Sequence, residues 1–191
     1  SNKSFLTYGY ESRLTNDWNA KTRWNINRYL VLEWTGKTVQ NRLITPGFEN
    51  QNYTIQSEGI EPKLSFIRGT DFRIAMGYRY EDKRNLDSVQ KATINSVTSE
   101  VKYNVLSSSS IAARFSFVNI HYADPNNGDK ANTSVAYIML DALLPGKNYL
   151  WAVDFSKRLT SYLELNFQYE GRKAGTSATV HIGRASLRAL F

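Results

Sequence analysis

The sequence predicts an all-β fold: an antiparallel, up-and-down wall of about nine strands, built as part of a transmembrane barrel. Three observations lead there. Apolar and polar residues alternate with a period of two along most of the chain, which marks strands with one apolar and one polar face. Short polar turns and long polar loops alternate between those strands. The stretch 180–191 keeps its alternation to an aromatic final residue. There Gly183, Ala185, Leu187, Ala189 and Phe191 share one face, and Arg184, Ser186 and Arg188 the other.

Composition fits that class. The chain has 191 residues, a length that suits one domain. It lacks cysteine, so a disulfide framework and a thiolate metal site are excluded. The formal net charge of +7 leaves nucleic acid, anionic lipid and anionic solutes as partner classes. No run of about 18 apolar residues occurs, so no helix of membrane-spanning type is coded.

In chain order, the first strand is read at 5–14, with a turn at Thr15-Asn16-Asp17, because Asn and Asp bond their own backbone. The second runs over 22–35, with Trp24, Ile26, Leu30, Leu32 and Trp34 on one face. The two tryptophans bracket about the 9–11 residues a tilted strand needs to cross a bilayer. Arg28 on that same face speaks against the register. A long polar loop is expected at 37–52, then a third strand at 53–67. Pro62 cannot donate to a ladder, so a bulge or a locally unpaired position is expected there.

The fourth strand alternates most cleanly: Phe72, Ile74, Met76, Tyr78 and Tyr80 oppose Arg73, Ala75, Gly77, Arg79 and Glu81. The fifth carries Val97, Val101, Tyr103 and Val105. The sixth sets Ile111, Ala113, Phe115 and Phe117 against Arg114. Residues 123–133 are loop, and 134–144 suit a short helix or a strand rim. The seventh strand carries Tyr149, Trp151, Val153 and Phe155 against Asp154. The eighth sets Leu163, Leu165, Phe167 and Tyr169 against Glu164 and Glu170, and the ninth is the terminal stretch.

Short turns then follow the odd strands and long loops the even ones, with short turns inside and loops outside. That parity runs the last strand inward and puts Ser1 at the outer rim. The expectation is that 1–191 is one barrel segment, the C-terminal portion of a larger barrel. The missing strands would precede Ser1 or come from another chain.

The terminal aromatic Phe191, Gly183 eight residues before it, and alternating Leu187 and Ala189 resemble the C-terminal targeting strand of Gram-negative outer-membrane β-barrels. Ala185 and Ala189 stand where bulkier residues are usual. The stretches Gly146-Lys147-Asn148-Tyr149-Leu150-Trp151 and Tyr169-Glu170-Gly171-Arg172-Lys173 are similar to the C-terminal halves of large Bacteroidetes-type outer-membrane barrels. The resemblance implies an outer-membrane location, lipid and lipopolysaccharide as surroundings, and assembly by the barrel-assembly machinery. It also implies a transport, channel or secretion-related scaffold role.

The candidate site is the polar face: Glu11, Arg13, Arg73, Arg79, Arg114, Asp154, Glu164, Glu170, Arg184 and Arg188. Ringed arginines would select anionic solutes. Arg–carboxylate pairs would instead fill the interior. The interface aromatics are Trp24, Trp34, Tyr78, Tyr80, Tyr149, Trp151 and Tyr169, and the assembly signal is Gly183, Leu187 and Phe191. No metal-ligand spacing and no cofactor motif occurs. A nucleic-acid sheet would mix aromatic and basic residues on one face, which these strands do not.

The sequence reading therefore expects no enzyme. A lipid-acting barrel enzyme would need His121 or His181, with Ser177 and Glu170 beside the latter. The remaining alternative is a soluble β-barrel whose apolar face lines a pocket for a small apolar ligand.

Overall fold

The computed structural model describes residues 2–6, 9–48, 51–105 and 108–189, with side chains from residue 11 onward. Ten strands form one sheet in sequence order, every neighbour antiparallel. They are β1 (Asn2–Leu6), β2 (Gly9–Asn25), β3 (Leu30–Ile44), β4 (Tyr53–Arg68), β5 (Phe72–Asn85), β6 (Lys91–Val105), β7 (Ser109–Ala123), β8 (Gly146–Thr160), β9 (Leu163–Ala174) and β10 (Val180–Ala189). The up-and-down order is the expected one, with one strand more than the count of about nine. Among the described residues β1 pairs only with β2 and β10 only with β9, so the sheet is open.

Short turns at 26–29, 69–71 and 161–162 lie at one end of the sheet. The connections at 45–52, 86–90, 124–145 and 175–179 lie at the other. The longest carries a helix, α1 (Ser134–Met139), which the Thr133 side chain caps by accepting from the Ala136 N–H. α1 falls in the stretch read as helix or strand rim.

The first 44 residues depart from the sequence reading. The turn lies at 26–29, not at 15–17. Asn27 Oδ1 accepts from the Tyr29 and Leu30 N–H groups at 2.8 and 2.9 Å, so its side chain builds the turn. Thr15 and Asn16 instead find cross-strand partners, and the Thr15 hydroxyl bonds Asn41 Oδ1 at 2.9 Å. Arg28 is a turn residue, its guanidinium 4.4 Å from the Tyr29 ring, which removes its conflict with the register. Trp24 and Trp34 therefore sit on two adjacent strands and do not bracket one. β3 runs on to Ile44, through half of the expected loop. The parity that put Ser1 at the outer rim also falls, since β1 runs toward the long-loop end. At Pro62 the β4–β5 pairing lapses at 61–62 and resumes in the same register, as a missing donor requires.

The register fixes the faces. One face carries Trp24, Leu32, Leu64, Met76, Val101, Phe115, Trp151, Phe167 and Leu187, and we call it the outer face. Its apolar side chains are uncovered: Met76 is 57 % and Leu187 62 % exposed. They do not pack into a dry centre, so the soluble barrel with an internal apolar pocket does not hold.

On β5 the apolar stretch spans Phe72 to Tyr80 and gives way to Asp82 and Arg84. Eight residue steps cover about 26 Å along the strand, or roughly 20 Å of height at a barrel tilt near 40°. Aromatic rows bound the band. At the short-turn end Tyr29, Phe66, Phe72 and Tyr103 follow one another at 6.0, 6.4 and 6.2 Å between centroids. At the long-loop end lie Tyr78, which bonds Asn95 at 2.7 Å, Tyr80, and Phe117 beside Tyr149 at 5.3 Å. A band of this height with aromatic girdles is the geometry that membrane barrels present to lipid.

Candidate functional site: the polar inner face and its cover

The inner face takes the alternate residue of every strand, so the side chains between the apolar ones gather there. The predicted polar residues do fall on it: Arg73, Arg79, Arg114, Asp154, Glu164, Glu170, Arg184 and Arg188, with Glu11 and Arg13 paired to each other on β2. They do not converge on one point. Glu100 of β6 accepts from Lys63 of β4 at 3.1 Å and from Arg114 of β7 at 3.0 Å, tying three strands together across β5. Glu164 accepts from the Ser156 hydroxyl at 2.9 Å. Arg73, Lys102, Arg184 and Arg188 make no ion pair among the described residues. Arg73 and Lys102 stand directly opposite each other on β5 and β6. Both sequence alternatives are thus present in part: paired charge near Glu100, and unpaired cations toward the short-turn end.

Sequence reasoning missed the cover. Toward the long-loop end the inner face turns apolar: Ile55, Ala92, Ile94, Val118, Ile120 and Tyr122 form a core with Val135, Ala136, Met139 and Leu140. The connection at 124–145 folds back over the inner face and buries its own apolar residues there. Met139 and Leu140 are 0 % and 1 % exposed.

Polar contacts fasten it. Buried Lys83 donates to Asp141 at 2.6 Å and lies 3.6 Å from Glu81, while Arg79 is 3.9 Å from Asp141. Asn148, fully buried at the start of β8, donates to the carbonyls of Leu144, Gly146 and Val118 at 2.8, 3.0 and 3.4 Å. A hollow of about 320 Å³ remains between cover and wall, lined by Lys37, Glu61, Arg79, Glu81, Lys83 and Asp141 among others. One signal of this site lay in the sequence: apolar residues change face within a strand, from Val97 and Val101 to Ala92 and Ile94 on β6, and from Phe117 to Val118 on β7.

The interface aromatics all lie on the outer face. Trp24 is at the short-turn end and Tyr78, Tyr80, Tyr149 and Tyr169 at the long-loop end. Trp34 and Trp151 lie nearby. The Trp151 indole covers Gly171, its cross-strand neighbour, where any Cβ would collide with the ring. Gly171→Ala is expected to cost about 1–3 kcal/mol by overpacking. A urea titration followed by tryptophan fluorescence checks this, with Gly183→Ala, where a Cβ meets nothing, as the neutral control.

His121 and His181 also lie on the outer face. His181 Nδ1 is 2.8 Å from the Tyr169 hydroxyl and its ring stacks on that tyrosine. Glu170 projects from the opposite face, paired with Ile182, so the histidine–serine–glutamate grouping does not assemble. Gly183 and Leu187 lie on the outer face of β10, and Phe191 lies outside the described residues.

No protein-family model matches the chain, and no characterised protein matches it in sequence. Solved structures match in fold. The outer-membrane expressed OmpT of Vibrio cholerae superimposes with a TM-score of 0.64 at 10 % identity, covering 92 % of this chain and 56 % of that one. In-vitro folded OmpT of Vibrio cholerae, an outer-membrane protein in its trimer form, gives 0.65 at 10 % identity, covering 98 % and 63 %.

The chain has the fold of an outer-membrane β-barrel wall, and spans somewhat over half the length of these structures. The two matched structures are of outer-membrane proteins, and the outer membrane is the location expected from the sequence. One expectation is corrected. The sequence reading excluded an enzyme. The likeness to OmpT lifts that exclusion, because at 10 % identity a shared wall fixes the fold and does not exclude catalysis.

Proposed function

We propose that this chain is the C-terminal segment of a larger outer-membrane barrel that passes or admits anionic solutes through a polar, cationic lumen. The observation that carries this is the separation of faces. Lipid-compatible side chains and two aromatic rows lie on one side. Arg73, Lys102, Arg184 and Arg188, without an ion pair among the described residues, lie on the other. Strands from elsewhere in the same gene product or from another envelope protein complete the wall, because among the described residues β1 pairs only with β2 and β10 only with β9. The segments at Gly146–Trp151 and Tyr169–Lys173, which begin β8 and end β9, support a Bacteroidetes-type origin.

Outer-membrane lipid and lipopolysaccharide surround the outer face. The barrel-assembly machinery reads 180–191. The cover over the inner face narrows the passage at its outer mouth.

Reversal potential of the assembled barrel, this chain together with the strands that complete its wall, across a planar bilayer with a salt gradient tests the reading. Anion preference is expected, and Arg73→Gln with Lys102→Gln should move it toward cations. Cation preference in the unaltered protein, or no conductance at all, would contradict it.

A further inference from the structure

Beyond the apolar band, the outer face carries a row of bases at the long-loop end. β5, β6, β8 and β9 contribute Arg84, Lys91, Lys147 and Lys173, all exposed. They form two groups. Arg84 and Lys91 are direct cross-strand partners. Lys173 faces Tyr149, two residues from Lys147. Like charges set opposite one another weaken a sheet, so an anion between them relieves a standing cost.

The acidic neighbours on this face are Glu58 and Asp82, opposite each other on β4 and β5. Asp82 holds Arg84 at 2.7 Å. Lys91, Lys147 and Lys173 have no ion pair among the described residues. Between the groups lies His121, two positions from Ala123, the partner of Lys91. From β5 to β9 the arc covers four strand spacings, about 19 Å.

We propose that this arc docks the two phosphate groups of a phosphorylated glycolipid of the outer leaflet. This rests on the membrane reading of the outer face. Acyl chains lying along Met76, Phe115 and Trp151 bring a headgroup to the level of Tyr80 and Tyr149 and its phosphates to the bases just past them. Two separated basic groups suit two phosphates on one sugar headgroup. At the short-turn end the outer-face bases Arg68 and Lys157 stand four strands apart and form no such group.

The full chain in neutral detergent is mixed with bisphosphorylated lipid A, fully dephosphorylated lipid A or phosphatidylglycerol, and retained lipid is measured after gel filtration. Retention of the bisphosphorylated form should fall about tenfold or more in Lys91→Gln/Lys147→Gln/Lys173→Gln, given the attraction of each surface base for anionic headgroups. It should also fall with added salt, and should not change in Arg68→Gln/Lys157→Gln. Equal retention by the triple variant, or equal retention of dephosphorylated lipid A or phosphatidylglycerol, would overturn the assignment. A parallel insertion into neutral phosphatidylcholine vesicles separates the two layers. Both proteins should insert, and failure of the unaltered chain to insert would instead overturn the membrane reading itself, together with this docking surface.

Discussion

Phe167→Arg should destabilise the membrane-inserted protein by about 2–4 kcal/mol, the cost of an arginine at the bilayer midplane of a barrel. Phe167 sits at the middle of the apolar run of β9, opposite Phe155 on β8 and Ala185 on β10, with its ring exposed on the outer face. No acidic side chain on that face lies within two residues along β9, so the guanidinium would gain no partner. Three residues away, Glu164→Gln replaces a carboxylate on the inner face that accepts one hydroxyl bond, at 2.9 Å. An amide oxygen can accept the same bond, so the cost should stay below about 1 kcal/mol. Urea titrations of both variants in neutral vesicles provide the check. Equal losses would contradict the assignment of faces.

Met139→Ala should release the cover and leave the wall intact. Met139 is fully buried among Ile94, Ile120 and its own helix neighbours, and truncating a buried methionine costs about 2–5 kcal/mol. The loss falls on docking, because apart from its two ends the connection at 124–145 is joined to the sheet through this patch and the polar contacts of Lys83, Arg79 and Asn148. Local opening then becomes easier without global unfolding. Since 1.4 kcal/mol is a factor of ten, protease cleavage within 124–145 should speed up by about 30-fold or more. Conductance should rise with it. Unchanged cleavage would mean that the Lys83–Asp141 pair and Asn148 hold the cover without the apolar contact.

Much of this architecture could be read from period-two patterning, because a face that meets lipid and a face that meets water leave opposite marks on alternate residues. Strands β4 to β10 and the polar set from Arg73 to Arg188 were legible for that reason. The first hairpin was not. Asn16 and Asp17 look like turn residues, yet they sit within β2, where only Leu14 and Trp18 on the outer face interrupt a polar stretch and little alternation remains to mark a strand. Asn27 and Arg28, the true turn, hide between Ile26 and Leu30, which mimic a continuing strand. The cover was missed for a related reason. Ile94, Ile120 and Tyr122 share the face of Lys102 and Arg114, so a single-face reading has no place for them. They make sense only once α1 supplies their partner, and helix and strand rim fit 134–144 equally well without the fold.

The central claim is that alternate residues of β5 and β7 meet lipid and water. The chain has no cysteine of its own, so single-cysteine spin labels report without background. Labels at Met76→Cys and Phe115→Cys should collide with oxygen dissolved in the bilayer and be shielded from a water-soluble nickel chelate. Labels at Arg73→Cys and Arg114→Cys should show the reverse. Chelate access at Met76 and Phe115 equal to or above that at Arg73 and Arg114 would contradict the account.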